Sequence, residues 1–106
     1  MNRKIIPGGL YRHYKQKWYF VIGVANHTET EEEFVTYFPL YLEEASLFVR
    51  PKDMFLEEID PRKSGGLQEW RFLEGDSCNL SLEERKDLLN KAQVLLGSIG
   101  LAIVQE

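Results

Sequence analysis

From Trp18 to Ala25 the chain reads Trp-Tyr-Phe-Val-Ile-Gly-Val-Ala, apolar at nearly every position and rich in aromatic and β-branched types. A strand of this composition exposes neither face, so it belongs in the middle of a sheet with packed atoms on both sides. The flanking sequence supplies partners. Leu10 to Tyr14 is a second extended run, separated only by Lys15-Gln16-Lys17, which reads as a hairpin. Asn26 to Glu33 is polar and acidic, a loop, after which Phe34 to Leu42 resumes an extended pattern. Glu43 to Ser46 is the next turn before Leu47 to Arg50, and Pro51, with no N–H for a ladder, ends that strand. Met54 to Ile59 and Gln68 to Leu73 offer two further short extended segments. Between them Asp-Pro-Arg-Lys-Ser-Gly-Gly, residues 60–66, carries enough breakers for a flexible surface loop.

Successive side chains of a strand point to opposite faces, so a register assigns every residue to one of them. Pairing Tyr14 with Trp18 sets Tyr11 opposite Val21. Pairing Ala25 with Glu33 sets Val21 opposite Tyr37 and Gly23 opposite Val35, and pairing Tyr41 with Phe48 sets Pro39 opposite Arg50. One face then holds Leu10, Phe20, Ile22, Val24, Phe34, Phe38, Leu40, Leu47 and Val49, the expected core. The other holds Tyr11, His13, Tyr19, Val21, Val35, Tyr37, Tyr41, Phe48 and Arg50, a mixed surface whose polar tips either stay wet or find backbone partners in the barrel or cover beneath the helix. About five antiparallel strands with one strong core face are expected to curl into a small barrel.

A helix follows. Ser81 is a good N-cap, Glu84 three residues on completes a capping box, and Leu82, Leu88, Leu89, Ala92, Leu95 and Leu96 recur at helical spacing over 81–97. That stripe must cover something, either one end of the barrel or the Tyr/His/Arg face. Gly100 to Val104 is short and apolar, a last strand or docked tail within 98–106. The expected fold class is therefore α+β, mainly β: a small SH3-like antiparallel barrel plus one C-terminal helix in a single domain over 1–106. Residues 8–57 form the barrel core, 58–80 a loop and short strand.

A chain of 106 residues buries roughly two-thirds of its unfolded surface, enough for one core. The net charge is −4 with the excess acid in the C-terminal half, which argues against non-specific contact with nucleic acid or an anionic membrane. Arg12, Lys15 and Lys17 make a small basic patch that reads as a solvated hairpin tip. Pro7-Gly8-Gly9 interrupts the start before any apolar signal region, and no apolar run approaches a bilayer span. With Cys78 the only cysteine, these features set the expectation of a cytoplasmic protein. Cys78, close to Asp76, is expected to be an inert thiol.

Four blocks carry a more specific signal: Gly9-x-Tyr11-Arg12-His13-Tyr14-Lys15, Tyr19-x-Val21-x-Gly23-x-Ala25-x-His27-x-Glu29-Thr30-x-Glu32, Val35-x-Tyr37, and Val49-Arg50-Pro51-x-x-Met54-Phe55. Over about residues 8–57 they resemble the bacterial family catalogued as domain of unknown function 1653. The resemblance implies an SH3-like barrel and no established activity. The family pattern has Gly where this chain has Gln16, Ser where it has Thr28 and Trp where it has Phe48. Gln16 therefore stands at a turn position that wants a left-handed residue, at a cost on the order of 1 kcal/mol.

The candidate ligand-binding residues are Tyr11, His13, Tyr19, His27, Glu29, Thr30, Tyr37, Tyr41 and Arg50. Tyrosine rings supply rigid contact area, Arg50 a planar fork for carboxylate or phosphate, and His13 a donor or acceptor. His27 to Thr30 also reads as a self-bonded loop, with hydroxyls and Glu29 accepting backbone N–H groups. The two histidines stand too far apart along the strand to share an ion, and His27 with loop carboxylates is a poor zinc set, so neither metal nor cofactor is expected. No Ser/His/Asp or Cys/His spacing supports nucleophilic catalysis. The expected function is a non-enzymatic module binding a small molecule, peptide or protein, with self-association through the helix as a further route. The alternative is a small enzyme using His13 and Arg50 for acid–base or anion-stabilising chemistry.

Overall fold

The computed structural model describes residues 3–99 of the chain. Five strands, β1 (Leu10–His13), β2 (Trp18–Asn26), β3 (Glu33–Pro39), β4 (Phe48–Pro51) and β5 (Phe72–Glu74), form one antiparallel sheet in the order β4-β3-β2-β1-β5. The central place of β2 follows from its two apolar faces. A short helix α1 (Lys52–Phe55) leaves β4 directly, and a long helix α2 (Leu82–Ser98) follows β5. Among the described residues no helix is long and apolar enough to cross a membrane. The tail strand expected over Gly100–Val104 lies outside the described residues.

The sheet is buried on both sides, as the two apolar faces of β2 require, so most of the Tyr/His/Arg face is a second core rather than a mixed wet surface. Leu10, Phe20, Phe38 and Leu40 pack against Ala92, Leu95 and Leu96 of α2. The opposite face forms a second core of Tyr11, Val21, Val35 and Tyr37 with Phe55 of α1 and Phe72 of β5. Apart from Val24, the alternation separates the two sets correctly, but it does not say what covers each. Curvature settles that. The sheet bends around its aromatic face until Arg50 of one edge strand lies 5.9 Å from the Phe72 ring of the other. The helix lies across the opposite face, at neither of its expected places. The sheet stays open, since β4 and β5 are its two edges.

The pairings differ in detail from those expected. β1 and β2 pair Tyr11 with Tyr19 rather than Val21, a shift of two that preserves the faces. Val21 does oppose Tyr37, but a bulge follows, so Gly23 faces Thr36 and Val24 faces Val35. The extra residue reverses the alternation beyond it. Val24 thereby leaves the face of Phe20 for that of Val35, near the sheet's rim, where it is 39% exposed. β3 and β4 pair Tyr37 with Phe48 because the chain leaves the ladder at Pro39 and spends Leu40–Leu47 on a longer connection. Leu47 and Val49, expected in the core, are exposed, since α2 does not reach them.

Local chemistry explains the remaining elements. Pro51 at φ −50° sits at the N-cap of α1, so Met54–Ile59 begins as a helical turn, and only a single bridge joins Glu58 to Trp70. The expected flexible loop at residues 60–66 is a 3₁₀ turn in which the Asp60 carboxylate accepts from the Arg62 N–H. Buried Ser64 donates to the Gln68 carbonyl at 2.8 Å and accepts from the Gln68 N–H at 3.0 Å. At α2, Ser81 Oγ accepts from the Glu84 N–H at 3.1 Å, half of the expected capping box. Leu82 opens the helix and is 85% exposed, so the stripe that packs begins at Leu88.

Candidate functional site

The aromatic face of the sheet carries five of the nine candidate residues in one neighbourhood. His13 comes from β1, Tyr19 from β2, Tyr37 from β3 and Arg50 from β4, each on the concave side by strand alternation, while Tyr41 reaches in from the β3–β4 connection. Tyr19 is the hub. Its ring meets those of Tyr37, Tyr41 and Phe72 edge-on at centroid distances of 5.6, 5.7 and 5.4 Å, and that of His13 at 6.1 Å. Its hydroxyl lies 3.1 Å from that of Tyr41, which is itself 46% exposed. Lys17 Nζ stands 5.2 Å from the Tyr41 ring centre. Phe72 forms the floor, stacked on Phe55 at 4.0 Å and edge-on to His13 at 4.9 Å.

Among the described residues Arg50 makes one side-chain hydrogen bond, its Nε donating to Tyr37 Oη at 3.1 Å, with its guanidinium carbon 5.9 Å from the Phe72 ring centre. Among the described residues no carboxylate pairs with it, and its terminal nitrogens donate to no protein acceptor. The half-buried His13 has its protonation pushed down to about 4, first by burial and then by the positive charges of Arg50, Arg71 and Lys15. Its Nδ1 accepts from the Lys15 N–H at 3.1 Å, so the neutral ring carries its proton on Nε2. Burial, followed by the Tyr41 hydrogen bond, raises the Tyr19 hydroxyl above its ordinary value and keeps it protonated. The neighbourhood therefore offers hydrogen-bond donors and positive charge on an aromatic bed.

The other candidates lie elsewhere. Tyr11 is 1% exposed, and its hydroxyl accepts from the Ile6 N–H at 3.0 Å, so it is spent on anchoring the N-terminal segment rather than facing a ligand. Tyr37 does belong to the neighbourhood, its ring against those of Tyr19 and Phe72, but it is 3% exposed and its hydroxyl is taken by Arg50. His27, Glu29 and Thr30 occupy the β2–β3 loop at the far end of β2, roughly 25 Å from Tyr19 by strand length. His27 Nδ1 accepts from the Glu29 and Thr30 N–H groups at 3.2 and 3.3 Å, and Thr30 Oγ1 from the Glu32 N–H at 3.2 Å. The self-bonding is real, though His27 provides it in place of Glu29. Among the described residues no group of three His, Cys, Asp or Glu side chains is placed to hold a metal ion. Cys78 donates toward the Glu74 carbonyl at 3.4 Å, and burial raises its thiol.

Sequence reasoning passed over Phe72 and Lys17 as members of this neighbourhood. Phe72 lies in a segment with no periodicity of its own, and only the return of β5 to the side of β1 brings it under Arg50.

A family model described as a protein of unknown function (DUF1653) matches residues 9–73. The chain belongs to the DUF1653 family. The match runs beyond the resemblance seen at about residues 8–57 and takes in Phe72 of β5, which belongs to the second core of this DUF1653 chain. A crystal structure of a DUF1653 protein from Bordetella bronchiseptica is 32% identical, with a TM-score of 0.53, covering 63% of this chain and 83% of that one. No curated protein matches significantly. In this DUF1653 chain α2 lies beyond the matched residues.

Proposed function

We propose that this chain is a binding module that takes a small molecule or peptide by an anionic group, carboxylate or phosphate, at the face formed by His13, Tyr19, Tyr41 and Arg50. The observation that carries this reading is the Arg50 guanidinium, oriented by Tyr37 Oη yet lacking any carboxylate partner among the described residues. A guanidinium fork oriented in advance and open on its terminal nitrogens favours planar oxyanions. His13 Nε2–H and the Tyr19–Tyr41 hydroxyl pair add neutral donors, and the rings give apolar contact area at low entropic cost. An acid–base enzyme is less well supported. With its protonation pushed down to about 4, His13 is almost wholly uncharged at neutral pH, which leaves no imidazolium to act as a general acid and makes the ring a weak base.

A thermal-shift screen of monocarboxylates, dicarboxylates and phosphate esters, followed by calorimetric titration of the hits, tests the reading. Arg50→Ala is expected to weaken the hits about 10- to 100-fold, the loss of a charge-assisted pair, and His13→Ala by less. Both variants binding every hit unchanged overturns it.

A further inference from the structure

A second concavity, sharing no residue with the face above, opens between the N-terminal segment, the outer end of β2, α1 and Trp70. It has a volume of about 690 Å³, and Ile5, Val24, Leu56 and Trp70 are among the side chains that line it. Small-molecule sites span roughly 300 to 1,000 Å³, so the cleft has room for a ligand of modest size. The bulge in β2 turns Val24 toward this side, and Ile5 and Leu56 pack on the second core. These three residues and the Trp70 ring give it apolar walls.

Its charges are unbalanced. Arg3 is fixed in place, Nη1 donating to the Leu56 carbonyl at 3.0 Å and Nη2 to the Phe72 carbonyl at 2.5 Å, with its guanidinium carbon 4.3 Å from the Trp70 ring centre. Carbonyls satisfy its N–H groups without cancelling its charge, and among the described residues no carboxylate pairs with it or with the exposed Lys4. Lys52 is shared with Glu33 at 3.5 Å, outside the lining, and among the described residues Asp53 is the only acid within it. The lining thus combines three cations, one anion, an indole and three aliphatic side chains.

We propose that this cleft is a separate binding site for a small amphiphilic carboxylate, its hydrocarbon lying on Trp70, Ile5, Val24 and Leu56 and its acid group directed to Lys4 and the Arg3 charge. Apolar walls alone would accept any hydrocarbon, and cations alone any anion. Their combination favours a molecule carrying both.

Calorimetric titration of the full chain with octanoate as the probe tests this, with the Trp70 indole N–H resonance, identified by Trp70→Phe, as the locator. Saturable binding that shifts that resonance is expected. Val24→Trp, at a half-exposed rim position where a larger side chain fills the cleft without entering a core, is expected to abolish binding. Lys4→Glu is expected to weaken it roughly fivefold or more by inverting one charge. Arg50→Ala is expected to leave it unchanged, which separates this site from the one proposed above. Octanoate failing to saturate at its solubility limit, 1-octanol binding equally tightly, or Val24→Trp binding as well as the parent chain overturns the proposal.

Discussion

Arg50 Nε donates to Tyr37 Oη at 3.1 Å, joining an edge strand to a buried ring of its neighbour. The contact carries two consequences at once, since the tyrosine hydroxyl is satisfied and the guanidinium is aimed.

Tyr37→Phe removes the hydroxyl and leaves the ring. The expected loss of stability is about 1 kcal/mol, the net value of one such hydrogen bond, read by urea denaturation. Binding to the Arg50 face is expected to weaken with it, because the guanidinium loses its orienting partner. Unchanged affinity together with lowered stability would show that Arg50 needs no such anchor.

Two cores on opposite faces of one sheet predict that truncations on either side are costly. Phe38→Ala, under α2, and Phe72→Ala, in the aromatic core, are each expected to destabilise by about 3–5 kcal/mol. Val49→Ala, at an exposed β4 position, is expected to change stability by no more than about 0.5 kcal/mol. Chemical denaturation of the three variants separates this arrangement from a sheet with one dry face.

His13 gives stability a pH dependence. Its folded-state value of about 4 lies below the ordinary 6.5, so between those limits the unfolded chain binds more protons and stability rises with pH. The contribution is complete above about 6.5 and disappears as pH falls toward 4. His13→Gln is expected to flatten the stability profile across that window, as measured by denaturation at pH 7 and pH 5. A variant as steep as the parent chain would assign the slope to other groups.

Gln16 adopts φ +69° in the first hairpin. Its amide partly compensates, donating to the Tyr14 carbonyl at 3.2 Å. Gln16→Gly relieves the left-handed strain at the expense of chain entropy and that bond, and a net gain of about 0.5 kcal/mol is expected from the shift in urea midpoint.

Much of the sheet was legible before any coordinates. Trp18 to Ala25 could only be a central strand, Pro51 could only end one, and Ser81 marked the helix start, because each rests on local chemistry. The blocks around His13, Tyr37 and Arg50 carry one signal in the sequence, and the three side chains converge around the Phe72 ring. Tyr11 looked the same in sequence but is buried, since its alternation matches theirs while its hydroxyl is claimed by the N-terminal segment. The Arg3 and Trp70 cleft left no such trace, because its walls come from four distant parts of the chain.

By itself the amino-acid order determined which side chains share a side of each strand, since the pleat reverses with every residue and a hydrocarbon run fixes its own alternation. It did not determine what covers each side. That depended on the bend of the sheet, on the bulge between Val21 and Gly23, and on Phe55 and Phe72 arriving from later segments to fill the concave side. Burial is a property of neighbours. Here the neighbours lie far along the chain, and only the closed tertiary arrangement brings them into contact.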